Sequence, residues 1–219
     1  MVDWVYCSYV DAILLKPINE IINKTYPDES VVAPFILSVG EKFLLHGDEK
    51  IGKTYLAMQM VWELAHGKPF LGTYEVIYPQ RVGYWQLEVT EGMFARRAKN
   101  LQWTGEVYVD MNKRTKLIAD IDDIRNAVEA LGLQVIIFDP LYRIHQGSEN
   151  QKEDMEPTLD MIDGLVTDYR VTVGLVHHNH RLALDRWGNP IMRGMADSRG
   201  SSTVTGFMDA VFSVAKKKG

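Results

Sequence analysis

The sequence predicts a three-layer α/β domain in which helices cover both faces of a mainly parallel central sheet. Apolar strand-like runs alternate with helical patterns along most of the chain. One of these runs, 135–138, is apolar throughout, as in a strand buried on both faces. The length of 219 residues, 46% of them hydrophobic, suits one globular domain with a full core.

The elements of this domain follow from local patterns. Strands are predicted at 43–46, 82–87, 107–109, 133–138, 171–176 and 210–214, and helices at 53–66, 91–101, 121–131 and 154–169. We expect Thr90 and Asp120 as N-caps, Gly132 as a C-terminal stop, and Pro157 in the first turn of its helix. Residues 1–30 do not follow the alternation. The predicted division is therefore a segment 1–30, which packs on the core or forms an inter-subunit arm, and a core domain 31–219.

Composition excludes several classes of protein. The formal net charge of −5 argues against a surface that binds nucleic acid everywhere by bulk attraction. A lone cysteine, Cys7, excludes internal disulfides. The first residues carry Asp3 and Asp11 and lack a basic leader, which argues against an export signal or a membrane span. We expect a cytoplasmic protein without a membrane partner.

A glycine-rich turn, GDEKIGKT, lies between the first strand and the first helix of the core. Its two glycines permit backbone angles closed to other residues, so successive N–H groups can point at phosphate oxygens. Lys53 would reach the β and γ phosphates, and the helix N-terminus would face the anion. The predicted binding residues for ATP or GTP are Gly47, Asp48, Glu49, Lys50, Ile51, Gly52, Lys53, Thr54 and Tyr55, with the side chains of Asp48 and Glu49 facing away.

Acidic residues follow two of the predicted strands. Asp139 comes at the carboxyl end of the buried run, where ligands bind in such sheets, so Asp139, acting through water, and the Thr54 hydroxyl are predicted to hold Mg²⁺. Hydrolysis also requires a base, and the residue after Asp139 is proline. Glu88, at the end of another strand, is the predicted base, with helix capping or a surface ion pair as its other possible roles. Glu91 is the competing acid, although it lies in a predicted first helical turn, where an acid suits the helix dipole.

Two further polar segments carry functional predictions. The strand at 171–176 runs into His177 and His178, which must point to opposite sides, and we interpret His178 as a γ-phosphate sensor. Zinc bound by His177, His178 and His180 is a weaker alternative. The segment 181–199 has four arginines against two aspartates, a local charge of +2. Its predicted contacts with DNA are Arg181, Arg186, Trp187, Arg193 and Arg199, although a solvated loop remains an alternative.

The order of these motifs resembles the RecA-like P-loop ATPases, and within them the hexameric helicases of the DnaB and plasmid RepA type. The resemblance covers about 39–214. GDEKIGKT is similar to the family's phosphate loop, VGYWQLE to the strand ending in the catalytic Glu, and VIIFDPL to the metal-binding strand. VGLVHHNHR is similar to the sensor strand, and DSRGSSTVTGFMDAVFSV to the closing segment.

The resemblance implies a motor that hydrolyses ATP and uses Mg²⁺. It also implies a homo-oligomer, a hexameric ring around single-stranded DNA. Such a ring would act as a replicative helicase of plasmid or phage type, with replication proteins as partners. It places the loops 145–152 and 181–199 at the DNA. A neighbouring subunit supplies a cation to the γ phosphate in this family; here Arg199 or Lys216–Lys218 takes that role, or the chain is part of something longer. The alternatives are a filament-forming recombinase or recombination mediator, and a nucleotide-gated protein-binding module. A small-molecule kinase is disfavoured, because the basic loop would then have no purpose.

Overall fold

The structure, a computed structural model, describes residues 16–25, 29–104, 106–147, 151–178 and 201–215. In chain order the elements are α1 Ile18–Ile22, β1 Ser30–Val32, β2 Leu37–Ser38, β3 Lys42–Gly47, α2 Lys53–His66, β4 Val82–Gln86, α3 Glu91–Asn100, β5 Val107–Asp110, α4 Ile121–Leu131, β6 Val135–Asp139, α5 Leu141–Ile144, α6 Lys152–Tyr169, β7 Thr172–His178, α7 Ser201–Phe207 and β8 Ala210–Val214.

The central sheet has the strand order β5-β4-β6-β7-β3-β8, and each neighbouring pair is parallel. All six predicted strands are present, and no strand end differs from the prediction by more than two residues. In a parallel sheet the carboxyl ends share one edge, so the ends of β3, β4, β6 and β7 meet there. The register aligns Gly47 with His178 and Gln86 with Asp139 at that edge.

Two apolar layers cover the sheet, as the sequence predicts. On one face α2 and α3 pack through Met58, Leu64 and Phe94 against the odd-numbered positions of β3 and β6. On the other face α4 and α6 pack through Val128 and Ile162 against the even-numbered positions of those strands. Alternate strand residues therefore go to opposite layers, because successive side chains of a strand point to opposite faces.

The segment ahead of the core is only partly described. Residues 1–15 and 26–28 lie outside the described residues, so the predicted arm stays a prediction. The short helix α1 has no buried residue. The strands β1 and β2 form a separate antiparallel pair, and Val32 bridges to Val76 beside it.

Three local predictions need correction. Thr90 and Asp120 occupy N-cap positions, but neither side chain caps its helix. The Asp120 carboxylate instead accepts a hydrogen bond from the Lys116 N–H at 2.6 Å, which closes the preceding turn. Pro157 lies inside α6, in its second turn, because this helix begins at Lys152, two residues earlier than predicted. Gly132 ends α4 in a left-handed conformation, as predicted.

Candidate nucleotide-binding and hydrolysis site

The turn between β3 and α2 has the backbone geometry of a phosphate cradle. Gly52 precedes α2 with φ +100°, in the region that favours glycine. Gly47 is required by close packing, since a Cβ there would collide with the Val214 carbonyl oxygen and lie 2.6 Å from the Ile51 side chain. Asp48 and Glu49 are exposed. The turn therefore offers backbone donors at the N-terminal end of a 14-residue helix.

Lys53 is buried at the centre of this turn. Its ammonium group donates hydrogen bonds to the carbonyl oxygens of Gly47 and Asp48, at 2.7 and 2.6 Å. Burial lowers the pKa of Lys53, and the charges of nearby acids, with Asp48 the largest, oppose that shift. A cation held inside the loop by two backbone acceptors is placed to meet phosphate oxygens.

Asp139 is completely buried at the carboxyl end of β6. Its Oδ2 accepts hydrogen bonds from the Tyr84 hydroxyl at 2.6 Å and the Gln86 amide at 3.1 Å, whereas its buried Oδ1 has no hydrogen-bond partner among the described residues. Burial raises the pKa of Asp139 from 3.8 to about 6, although the hydroxyls of Tyr84 and Thr54 stabilise the charged form.

A magnesium ion fits these donors. The free carboxylate oxygen and the nearby Thr54 hydroxyl are both hard oxygen ligands, which Mg²⁺ prefers. For the zinc alternative, the described residues contain no group of three or more His, Cys, Asp or Glu side chains able to hold a metal, and His180 lies outside them.

Glu88 lies two residues beyond β4, in a turn that Gln86 holds. The Gln86 Oε1 accepts hydrogen bonds from the backbone N–H groups of Glu88 and Val89, both at 2.8 Å. The Glu88 carboxylate accepts a hydrogen bond from the Tyr142 hydroxyl at 3.0 Å, and its charge contributes to the pKa values of Asp139 and Lys53. The competing acid, Glu91, is exposed at the first position of α3, where a carboxylate suits the helix dipole.

The two histidines at the end of β7 go to opposite sides, as predicted. His177 is buried, whereas His178 lies on the α2 side, with its Nε2 3.9 Å from Glu88 Oε2. Burial and the Lys53 charge lower the pKa of His178, and Glu88 opposes that shift only in part. The imidazole is therefore neutral at pH 7. Its Nε2 is buried and has no hydrogen-bond partner among the described residues.

Three residues of this cluster escaped sequence reasoning: Tyr84, Gln86 and Tyr142. The sequence did contain a signal for Tyr84 and Gln86, which are two positions apart on an otherwise apolar strand. Side chains two apart share one face of a strand, so the pair indicates a polar site on that face. Tyr142 carried no such signal, since its contact with Glu88 joins residues 54 positions apart. The predicted DNA-contacting residues Arg181, Arg186, Trp187, Arg193 and Arg199, the loop residues 148–150 and Lys216–Lys218 lie outside the described residues.

The parallel sheet, the phosphate cradle and the acids at neighbouring strand ends are those of a RecA-like P-loop ATPase domain. The chain belongs to the AAA domain family, which it matches over residues 14–182. No curated protein sequence matches it significantly.

Among solved structures, the chain is similar to a KaiC-like protein from the hyperthermophilic archaeon Pyrococcus horikoshii OT3. The TM-score is 0.51 at 17% identity, and the match covers 68% of this chain and 65% of that one. At this identity the likeness supports the fold alone, and the chain spans less than two thirds of that neighbour.

The helices of the described part of the chain include none that is long and apolar enough to cross a bilayer.

Proposed function

We propose that this domain hydrolyses ATP and couples hydrolysis to movement along single-stranded DNA, as the motor core of a replicative helicase of plasmid or phage type. The observation that supports the enzymatic half is the position of Glu88. This acid lies beside neutral His178, near the Lys53 cation, and in a turn that Gln86 ties to Asp139.

Each group then has a role in hydrolysis. The loop N–H groups and Lys53 hold the phosphates, and Lys53 exchanges its bonds to the loop carbonyls for phosphate oxygens. Glu88 accepts a proton from the attacking water. The water oxygen bonds to the γ phosphorus, the bond from that phosphorus to the β–γ bridging oxygen breaks, and the electron pair leaves with ADP.

Asp139 and Thr54 would hold Mg²⁺, which when bound neutralises phosphate charge. The buried Nε2 of His178 would hydrogen-bond to a γ-phosphate oxygen, so its contacts would change after cleavage. This is the chemistry of a sensor that distinguishes ATP from ADP.

The DNA half of the proposal rests on the sequence that follows His178. In the sequence the basic segment 181–199 begins three residues after His178, so a change at His178 is close in the chain to a segment with four arginines and Trp187. A hexameric ring would place such segments together in one channel.

The test is an ATPase assay with and without single-stranded DNA, run beside a mass measurement of the Mg-ATP-bound protein. Stimulation by DNA together with a closed ring supports the proposal. Stimulation with open filaments in electron microscopy would instead support a recombinase or recombination mediator. An ATPase rate indifferent to DNA would overturn the motor function and favour a nucleotide-gated protein-binding module.

A further inference from the structure

A tyrosine on the short helix α5, Tyr142, contacts both side chains that the proposed hydrolysis places at the γ phosphate. Its hydroxyl donates a hydrogen bond to Glu88 Oε1 at 3.0 Å. Its ring packs edge-on against the His178 ring, with centroids 6.0 Å apart and an interplanar angle of 67°. Tyr142 therefore joins the proposed base to the proposed sensor, and the hydrolysis described above gives it no role.

The packing of α5 fixes the backbone that carries Tyr142. Leu141 and Ile144, on either side of it in this one-turn helix, are both completely buried in the layer formed by α4 and α6. The Lys116 ammonium donates a hydrogen bond to the Arg143 carbonyl oxygen at 2.5 Å, which holds the end of the helix. The Arg143 guanidinium in turn lies 5.2 Å from the centroid of the Tyr142 ring. The phenol is therefore presented by a rigid element, although its side chain reaches the surface.

The Glu88 side chain is less constrained than its backbone. Gln86 accepts a hydrogen bond from the Glu88 N–H, and the Lys113 ammonium donates one to the Glu88 carbonyl oxygen at 2.9 Å. The side chain beyond this fixed backbone is 37% exposed and has several rotatable bonds. Tyr142 occupies its Oε1, whereas its Oε2 lies on the side of His178, 3.9 Å from that Nε2. The two carboxylate oxygens are thus in different surroundings.

We propose that Tyr142 is a positioning residue for hydrolysis, whose hydroxyl holds Glu88 Oε1 so that Oε2 faces the attacking water. The inference rests on the proposed ATP hydrolysis. Oε2 is the oxygen beside the sensor imidazole, and the water must lie between the base and the γ phosphate that this imidazole contacts. A base acts only within hydrogen-bond reach of the proton that it removes. A carboxylate that samples other rotamers therefore removes that proton less often.

A phenol suits this task because it donates a hydrogen bond without adding charge. Burial, followed by the hydrogen bond and the charge of Glu88, raises the pKa of Tyr142, so the hydroxyl keeps its proton at pH 7. A lysine or arginine in its place would form an ion pair with the base and favour its unprotonated form, which opposes proton uptake. Tyr142 thus orients Glu88 and takes no part in the proton transfer itself.

The kinetics of Tyr142→Phe test the inference, because phenylalanine keeps the ring that contacts His178 and removes only the hydroxyl. We expect kcat for ATP hydrolysis to fall about 10–100-fold, while the Kd for Mg-ATP measured by calorimetry stays unchanged. The matched control is Tyr108→Phe, which removes a hydroxyl that donates to Glu106 at 2.9 Å, a tyrosine–glutamate pair outside the site. This control should hydrolyse ATP like wild type.

A second background separates positioning of the base from support of the fold. Single-turnover assays compare Glu88→Gln with the double variant Glu88→Gln and Tyr142→Phe. The second substitution should leave the residual rate unchanged, because the base through which Tyr142 acts is already absent. A further fall of the same size there would overturn the inference, as would normal kcat or weakened Mg-ATP binding in Tyr142→Phe alone. If wild type hydrolyses no ATP, the proposed function itself fails, whereas equal turnover by an active wild type and Tyr142→Phe refutes the positioning role alone.

Discussion

At the scale of single residues, Gln86 joins the two acids of the site. Its amide nitrogen donates to Asp139, and its amide oxygen accepts from the N–H groups of Glu88 and Val89. An amide can do both because it carries donors and an acceptor, whereas a carboxylate in its place would add charge beside buried Asp139. One buried side chain thereby sets the position of the proposed base relative to the proposed metal ligand.

Two substitutions separate binding from turnover. Lys53→Ala should abolish Mg-ATP binding, since it removes the buried cation of the loop. Glu88→Gln should bind Mg-ATP normally, while kcat falls by about 10²–10⁴-fold because the water loses its base. Calorimetry and a phosphate-release assay measure the two quantities. Glu106→Gln, an exposed acid outside the site, is the control. Normal turnover in Glu88→Gln would remove that residue from the mechanism.

The raised pKa of Asp139 predicts a pH-dependent stability. The pKa is 3.8 unfolded and about 6 folded, so between these values the folded state binds more protons than the unfolded state. The stabilising contribution of the Asp139 carboxyl to the free energy of unfolding is therefore fully present below pH 4, and it is lost as the pH rises through 6. The loss amounts to about 3 kcal/mol. Asp139→Asn, which has no ionisable group, should lack it.

The measurement is the free energy of unfolding in urea at pH 4, 5, 6 and 7, without magnesium. Wild type minus Asp139→Asn isolates the contribution of this carboxyl, since the other acids cancel in the difference. A difference that stays constant from pH 4 to pH 7 would show that the folded carboxyl titrates normally.

At the scale of elements, the pairing of β3 with β7 includes one close side-chain contact. Gly174 stands opposite Phe43 in the register, and a Cβ at Gly174 would collide with the Phe43 ring. Phe43 in turn packs edge-on against Phe212 of β8, with centroids 5.8 Å apart. The glycine therefore makes room for an aromatic ring at the centre of the three strands that carry the phosphate loop and His178.

Gly174→Ala should lower the free energy of unfolding by about 1–3 kcal/mol, because the ring must move within a packed layer. The double variant Gly174→Ala with Phe43→Leu should recover part of that loss, which urea denaturation can measure. Gly92→Ala is the matched control, since nothing lies within 4 Å of its Cβ and it is in the first turn of α3. It should be neutral or slightly stabilising. Equal stability of Gly174→Ala and wild type would contradict the contact.

At the scale of the whole molecule, the strand order assembles the site. β6 lies between β4 and β7, and β3 follows β7, so the strands that lead to Glu88, Asp139, His178 and the phosphate loop are consecutive across the sheet. All four ends meet at one edge because every pairing is parallel. The segment 181–199 follows β7 in the sequence by three residues, and this order along the chain motivates the proposed coupling of hydrolysis to DNA.

Replacing Arg186 and Arg193 with Ala should weaken single-stranded DNA binding at physiological salt. The magnitude of the slope of log K against log salt should fall by about 1.4, because each of the two phosphate contacts in a single strand contributes about 0.7. Fluorescence anisotropy across a salt series measures both. Arg81→Ala with Arg125→Ala removes the same charge elsewhere and should leave the slope less affected. An unchanged slope in the Arg186 and Arg193 variant would count against the DNA contact.

Much of the fold was predictable because its signals are local. The run 135–138 is apolar throughout, the helices repeat with a period of 3.6, and Gly132 stops α4 where only a left-handed residue fits easily. The start of α6 was missed, since Pro157 is a favourable first-turn residue yet is tolerated here in the second turn.

The sequence was sufficient to predict phosphate and magnesium binding at the site, because these ligands demand particular donors at particular spacings. The signals were the residue types in GDEKIGKT and the strand-end positions of Asp139, Glu88 and His178. The sequence could not determine which groups hold those donors. Strand order and helix packing bring together side chains that are 42 to 55 positions apart in the sequence. These contacts join Tyr84 and Gln86 to Asp139, Tyr142 to Glu88, and Tyr55 to Arg97. Such contacts depend on the tertiary fold because no local pattern encodes which distant strand or helix becomes a neighbour.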